Sequence, residues 1–252
     1  MTADPNREEP DKQGSTLLQQ FFELWLRPEL EARGADRKPE EIDRSLVIFK
    51  PGQRPKVLIE AEAQMIVRGR ATRAIEVGEQ VTEADLEAIE SLVPHDIDPN
   101  AGWIGFVRFK NVYTLAFDFR QRKGKAQKMV DLAEEFLAAA RLAVANDLKA
   151  PMVDLLFSAA ELAAVAQMTV LPAKPPKAHD RRKEWFESWV ELGNAPSDHG
   201  KALADLAQAR PPARYGQGSV PPLSNADLDR LVNQVADMVE YAKKEITNRP
   251  GR

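Results

Sequence analysis

The chain has no cysteine among its 252 residues and only three histidines. The first absence removes disulfides, thiolate metal sites and cysteine nucleophiles, and the second leaves too few imidazoles for a protein-only metal cluster. No metal and no cofactor is expected, so any catalysis must use carboxylates, guanidinium groups or a histidine. Residues 15–120 hold no Gly-rich phosphate loop, no Gly-Ser pair followed by paired aspartates and no zinc-ligand spacing. No apolar run reaches 18 residues, and the opening MTADPNREEPDKQGS lacks the apolar core of a signal peptide. A cytoplasmic chain without a membrane partner is the expectation.

What is present is ordinary for a globular protein: 43% hydrophobic and 29% charged residues, enough to build a buried core. The net charge of −4 divides unevenly, with 16 Lys+Arg against 22 Asp+Glu in residues 1–121 and 19 against 17 in residues 122–252. An excess of +2 over the second half is too small for non-specific coating of DNA and leaves local contact with RNA open.

The length and the change of pattern along the chain predict an α+β protein, in which a small strand-containing N-terminal domain (residues 15–120) precedes an all-α up-and-down bundle of about five helices (residues 122–247). Residues 1–14, polar and without periodicity, read as a disordered leader. From Ser15, Leu17, Leu18, Phe21, Phe22, Trp25 and Leu26 recur at helical spacing until Pro28 disturbs the pattern, which predicts a helix docked on its own chain. LVIFK, KVLIEAEAQMIVR, WIGFVRF and VYTLAFDFR read as strands, the last two forming a hairpin across Lys110-Asn111, with Tyr113, Leu115, Phe117 and Phe119 on one face. Between them, TEADLEAIESLV reads as one helix opened by Thr82 and Asp85.

From Lys125 the period is helical. Met129, Ala133, Phe136, Ala140 and Val144 mark one helix, and PMVDLLFSAAELAAVAQMTV, apolar on almost every side, marks a second that must lie in the middle of the bundle. A short helix with Trp185, Phe186 and Trp189 follows and stops at Gly193-Asn194. An Ala- and Leu-rich helix then runs from about His199 to a halt at Pro211-Pro212, and a last one is opened by Ser224 and Asp227.

The informative anomaly is polar. Asp154, Ser158 and Glu161 lie at steps of four and three on one face of the apolar second helix, where a carboxylate needs a partner. Arg210 and Arg214, followed by Tyr215, are the obvious donors. Two readings stand: an ion-pair set that fixes helix register, or a phosphate-binding corner, since guanidinium matches phosphate oxygens bidentately. His179, at the start of a helix after a proline-rich break, and Asn194 are the further polar candidates.

DLAEEFLAAA, VDLLFSAAELAAVAQMTVLP, His179 and LADLAQARPPARYG together resemble HEPN-like helical-bundle domains, over roughly residues 122–247. The resemblance implies an up-and-down bundle, often a homodimer, that binds RNA or nucleotides, in a defence or stress-response system. It also raises metal-independent ribonuclease chemistry, in which Arg210 or Arg214 steadies phosphate and His179 moves a proton, while Asp154, Ser158, Glu161, Asn194 and Tyr215 contribute to ligand binding. The usual arginine followed four to six residues later by histidine is absent: no histidine here has an arginine at that distance before it, and Tyr215 stands five residues after Arg210. The alternative is an inert helical scaffold for dimerisation or for a protein partner that the sequence does not identify.

Overall fold

The computed structural model describes residues 9–216 and 224–247, which divide after Phe119 into two compact units. In the first, helix α1 (Glu9–Phe21) passes through a π-helical turn (Phe22–Leu26) into α2 (Arg27–Ala32). Six strands follow: β1 (Arg44–Phe49), β2 (Lys56–Ile59), β3 (Met65–Ala71), β4 (Leu86–Pro94), β5 (Gly102–Phe109) and β6 (Val112–Asp118). They form a four-stranded antiparallel sheet in the order β2-β1-β5-β6 and a separate β3-β4 ribbon.

One expectation for this unit needs correcting at its start. The helix begins at Glu9, so residues 9–14 are helical and not part of a disordered leader; residues 1–8 lie outside the described residues. Pro28 disturbs the helical pattern, as expected, without ending the helix. The π-helical turn opens the backbone ladder just before it, and the proline then sits in the first turn of α2, where its missing N–H costs nothing.

The apolar run Leu46-Val47 is apolar on both faces because both faces are covered. Val47 points into a cluster with Phe21, Leu26, Ile104 and Phe106 under α1, while Leu46 packs with Ala63 and Trp103 on the other side. The β5–β6 hairpin turns at Lys110 (φ 48°) and Asn111 (φ 62°), the pair of positive φ values that a two-residue connection requires. Tyr113 and Leu115 pack on the helix-covered core, while Phe117 and Phe119 stack on one another 5.1 Å apart at the exposed end of the strand.

The run KVLIEAEAQMIVR is two strands in two sheets, separated by a 3-10 turn (Glu60–Glu62). TEADLEAIESLV is not a helix. Thr82 and Asp85 do exchange hydrogen bonds, but they cap a single 3-10 turn (Glu83–Asp85), after which the chain extends as β4. Pairing with β3 outweighs the helical spacing of Leu86, Ile89 and Leu92. Irregularities at Arg68/Gly69 and Arg70/Ala71 shift the register so that residues three apart reach equivalent positions along the ribbon. Gly69 is required there, because a Cβ would stand 2.8 Å from the Ala88 carbonyl oxygen.

The second unit is a helical bundle of α3 (Lys123–Ala145), α4 (Lys149–Thr169), α5 (His179–Glu191), α6 (Ser197–Tyr215) and α7 (Asn225–Thr247). α4 is the central element, in contact with the other four. Its alanines 159, 160, 163, 164 and 166 are buried, as are alanines 126, 133, 140 and 143 of α3, and these small side chains let the two helices approach closely. Among the described residues α4 is the one helix long and apolar enough to cross a bilayer, which the sequence reading did not expect, and 72% of its most apolar window is buried inside the protein. Ser224 and Asp227 cap α7 reciprocally, and its apolar stripe Leu228, Leu231, Val235, Met238 and Val239 is buried as the spacing predicts.

Pro211 and Pro212 do not stop α6, which runs through both to Tyr215 and ends at Gly216 (φ 62°). Two donors are lost from its ladder, yet the turns on either side hold, and the Gly216 N–H returns to the Pro212 carbonyl at 3.1 Å. Arg210 and Arg214 therefore lie one turn apart on a single helix.

Candidate functional site

α4, α5 and α6 converge on a cleft of about 450 Å³. Its floor is apolar, with Phe157 and Ala164 from α4 and Leu203 and Ala207 from α6; its rim is charged, with Glu161 from α4, His179, Asp180, Arg182 and Lys183 from α5, and Arg210 from α6. An apolar basin with a few convergent polar groups is the usual form of a small-ligand site.

The acidic stripe of α4 is answered from two sides. Asp154 Oδ1 accepts from Arg210 Nε at 2.8 Å and faces Arg214 Nη1 at 3.7 Å. The Arg210 guanidinium carbon lies 4.4 Å from the centre of the Phe157 ring, so the cation is held by a carboxylate at one edge and a π face beneath. Glu161, whose side chain is 14% exposed, was expected to pair with Arg210 or Arg214 but takes its partners from α5: Arg182 Nη1 at 3.5 Å, and His179 through Nδ1. Antiparallel packing explains the division. Arg210 reaches α4 at Asp154, two helical turns before Glu161, and the start of α5 covers the remaining turns.

An ionised carboxylate only accepts, so the Nδ1 of His179 is the donor in its bond to Glu161, and Nε2 is the ring nitrogen outside that bond. The imidazole is 58% exposed at its side chain and its centroid lies 6.3 Å from that of Phe157. Arg182 is fixed a second time by donating Nε to the Pro176 carbonyl at 2.9 Å. Asp154 engages Arg210 through Nε alone, and among the described residues the two terminal nitrogens of that guanidinium have no protein partner. They form a donor pair of the kind that grips a phosphate or carboxylate.

The other sequence candidates fall outside the cleft. Ser158 donates its hydroxyl to the Asp154 carbonyl one turn back, at 2.8 Å, and is spent within its own helix. Arg214 and Tyr215 stand at the end of α6, 5.9 Å from cation to ring, with Tyr215 65% exposed. Asn194 lies beyond the C-terminal end of α5, where its carbonyl accepts from the Tyr241 hydroxyl at 2.9 Å. It is not brought to the site. His199 is buried between α6 and α7, its Nε2 2.7 Å from Asp237 Oδ2 and its ring edge-on to Tyr241.

Among the cleft residues that the sequence reading passed over are Phe157, Asp180, Arg182 and Lys183. Arg182 was the one that could be found, since it sits three residues after His179 and shares its helix face. Phe157 reads as core from sequence, and only the approach of α6 turns it into a floor for a cation. Among the described residues no three His, Asp or Glu side chains are placed to hold a metal ion.

Neither the protein-family models nor the curated proteins compared with this chain give a match.

Proposed function

We propose that the chain is a HEPN-like protein whose α4–α5–α6 cleft binds a phosphate group carried by RNA or a nucleotide, in the cytoplasm and in a defence or stress-response setting. The observation that carries this reading is the convergence of Arg182, Lys183 and Arg210 on one apolar-floored cleft beside a histidine oriented by Glu161. Guanidinium groups match phosphate oxygens in pairs, and an apolar floor suits a base or ribose. Homodimerisation belongs to the same reading, although the aromatic side chains of α5 do not require a second copy to cover them: Phe186 is buried and Trp185 and Trp189 pack on the core of their own bundle.

The test is metal-free equilibrium binding of mononucleotides and a mixed RNA pool by the wild type and by Arg210→Ala and Arg182→Ala, each checked for retained helicity. At least a tenfold loss of affinity in the folded variants is expected. Cleavage of the pool, read in the same incubation and abolished in His179→Gln, adds proton transfer by His179 to binding; light scattering at twice the chain mass reports the dimer.

The second reading, an inert scaffold, is favoured by the ion-pair partners held by both carboxylates of the α4 stripe, which is what a register-fixing network also gives. No binding by the wild type, with the variants unfolded, decides for it.

A further inference from the structure

The positive charge of the bundle is not spread over it. Residues 122–128 and 171–183 hold nine of the nineteen Lys and Arg found in residues 122–252, and a single one of the seventeen acids, Asp180. The remainder of that half is net acidic. These two segments, far apart in sequence, are neighbours in the fold. Arg122 donates to the carbonyls of Leu171 and Pro172 at 2.9 and 3.3 Å, and the Gln121 N–H donates to the Val170 carbonyl at 2.7 Å. Arg182 then ties the far end of the 171–178 segment to α5 through the Pro176 carbonyl. The first turns of α3, the proline-bearing segment and the start of α5 thus make a continuous basic track that ends in the cleft at Arg182 and Lys183.

Lys125, Lys128, Lys174 and Lys177 are exposed along this track, and among the described residues none of the four has an acidic partner. Other cations of the bundle are paired, as Lys243 is with Glu134 and Arg230 with Asp205, or stand singly and exposed, as Arg141, Lys149, Lys201 and Lys244 do; at the cleft end of the track Arg181, Arg182 and Lys183 face Glu184, Glu161 and Glu187. Grouped ammonium groups raise the local positive potential, which favours a polyanion over a single phosphate.

We infer that this track carries the sugar–phosphate backbone of a single-stranded nucleic acid into the cleft, so that the ligand is a polymer and not a free mononucleotide. The inference rests on the phosphate-binding reading of the cleft and deepens it. A lipid surface fits less well, because neither segment exposes a large apolar side chain to enter a bilayer. A cleft of about 450 Å³ admits one nucleotide and excludes a duplex.

The experiment uses the full chain, a labelled single-stranded RNA of about 12 nucleotides, the same sequence as a duplex, a mononucleotide and anionic vesicles. The quadruple variant K125Q/K128Q/K174Q/K177Q, changed only at exposed positions and checked by its melting curve, is compared with Arg210→Ala. The wild type should bind the strand at least tenfold more tightly than the mononucleotide or the duplex. The quadruple variant should lose about tenfold for the strand and nothing for the mononucleotide, and its slope of log affinity against log salt should fall by about 3, at roughly 0.7 per contact. An unchanged slope and affinity in the quadruple variant, with binding lost in Arg210→Ala, overturns the track and leaves the cleft. Loss of strand binding in the quadruple variant with none in Arg210→Ala supports the track and overturns the cleft. Strand binding no tighter than mononucleotide binding, or vesicle binding without strand binding, overturns the inference as well.

Discussion

The Arg210 guanidinium is stacked on Phe157, its carbon 4.4 Å from the ring centre, while its Nε is held by Asp154. The two contacts fix the plane and the edge of the group without using its terminal nitrogens. Orientation is therefore supplied before any ligand arrives, which lowers the entropy a ligand must offset on binding.

Arg210→Lys keeps the charge but loses the planar fork and the stacked face. Phosphate affinity should fall by about tenfold and stability by roughly 1 kcal/mol, the worth of one partly exposed cation–π contact and one charge-assisted hydrogen bond. Calorimetric binding and thermal unfolding read the two quantities separately. A lysine variant that binds as well as the wild type shows that the cleft recognises charge alone.

Phe186 is the one fully buried side chain of α5. Phe186→Ala should cost about 3–5 kcal/mol and loosen α5 from the bundle, carrying His179 and Arg182 away from the cleft. Hydrogen exchange should show loss of protection across 182–191 before any loss in α4. Uniform loss across α3–α7 would mean that α5 does not open as a separate unit.

The bundle was legible because its signals are local. The stripe of α7 and its Ser224–Asp227 cap are read within four residues, and α4 announces its central place by being apolar all round. The β4 segment was not legible, because its structure is set by β3, some twenty residues away, and a capping pair that holds one turn looks in sequence like a pair that opens a helix. At the cleft, Glu161, His179 and Arg210 were identified as candidates, but their pairing was not: which arginine meets which carboxylate depends on the offset between antiparallel helices. Asn194 was named for its type alone, and the fold places its carbonyl, not its amide, in a contact.

α6 keeps helical geometry through two prolines, so the ladder lacks the N–H that residue 212 would give to the Gln208 carbonyl. Pro212→Ala restores that donor at a half-buried position outside the cleft. Stability should rise by about 1–2 kcal/mol, the helical preference of alanine offset in part by the greater freedom of the unfolded chain. An unchanged or lower melting temperature would falsify a continuous helix at this point.

Asp85 contributes to the acid dependence of the N-terminal unit, beside Glu62 and Glu79, whose pKa values are also lowered by arginine partners. The Thr82 hydroxyl and backbone N–H both donate to its carboxylate, with Arg73 beside it, and together they hold its pKa down from 3.8 to about 2. A carboxyl depressed in the folded state contributes stability that is fully present above its unfolded value and is lost as pH falls through the folded value. The window is thus 3.8 down to about 2. Asp85→Asn should melt below the wild type at neutral pH, and the gap should close as the pH is lowered across that window. Carboxyl NMR should place the Asp85 midpoint near 2; a midpoint at 3.8 or above means that the Thr82 contacts do not persist in solution, and the two proteins should then respond to acid alike.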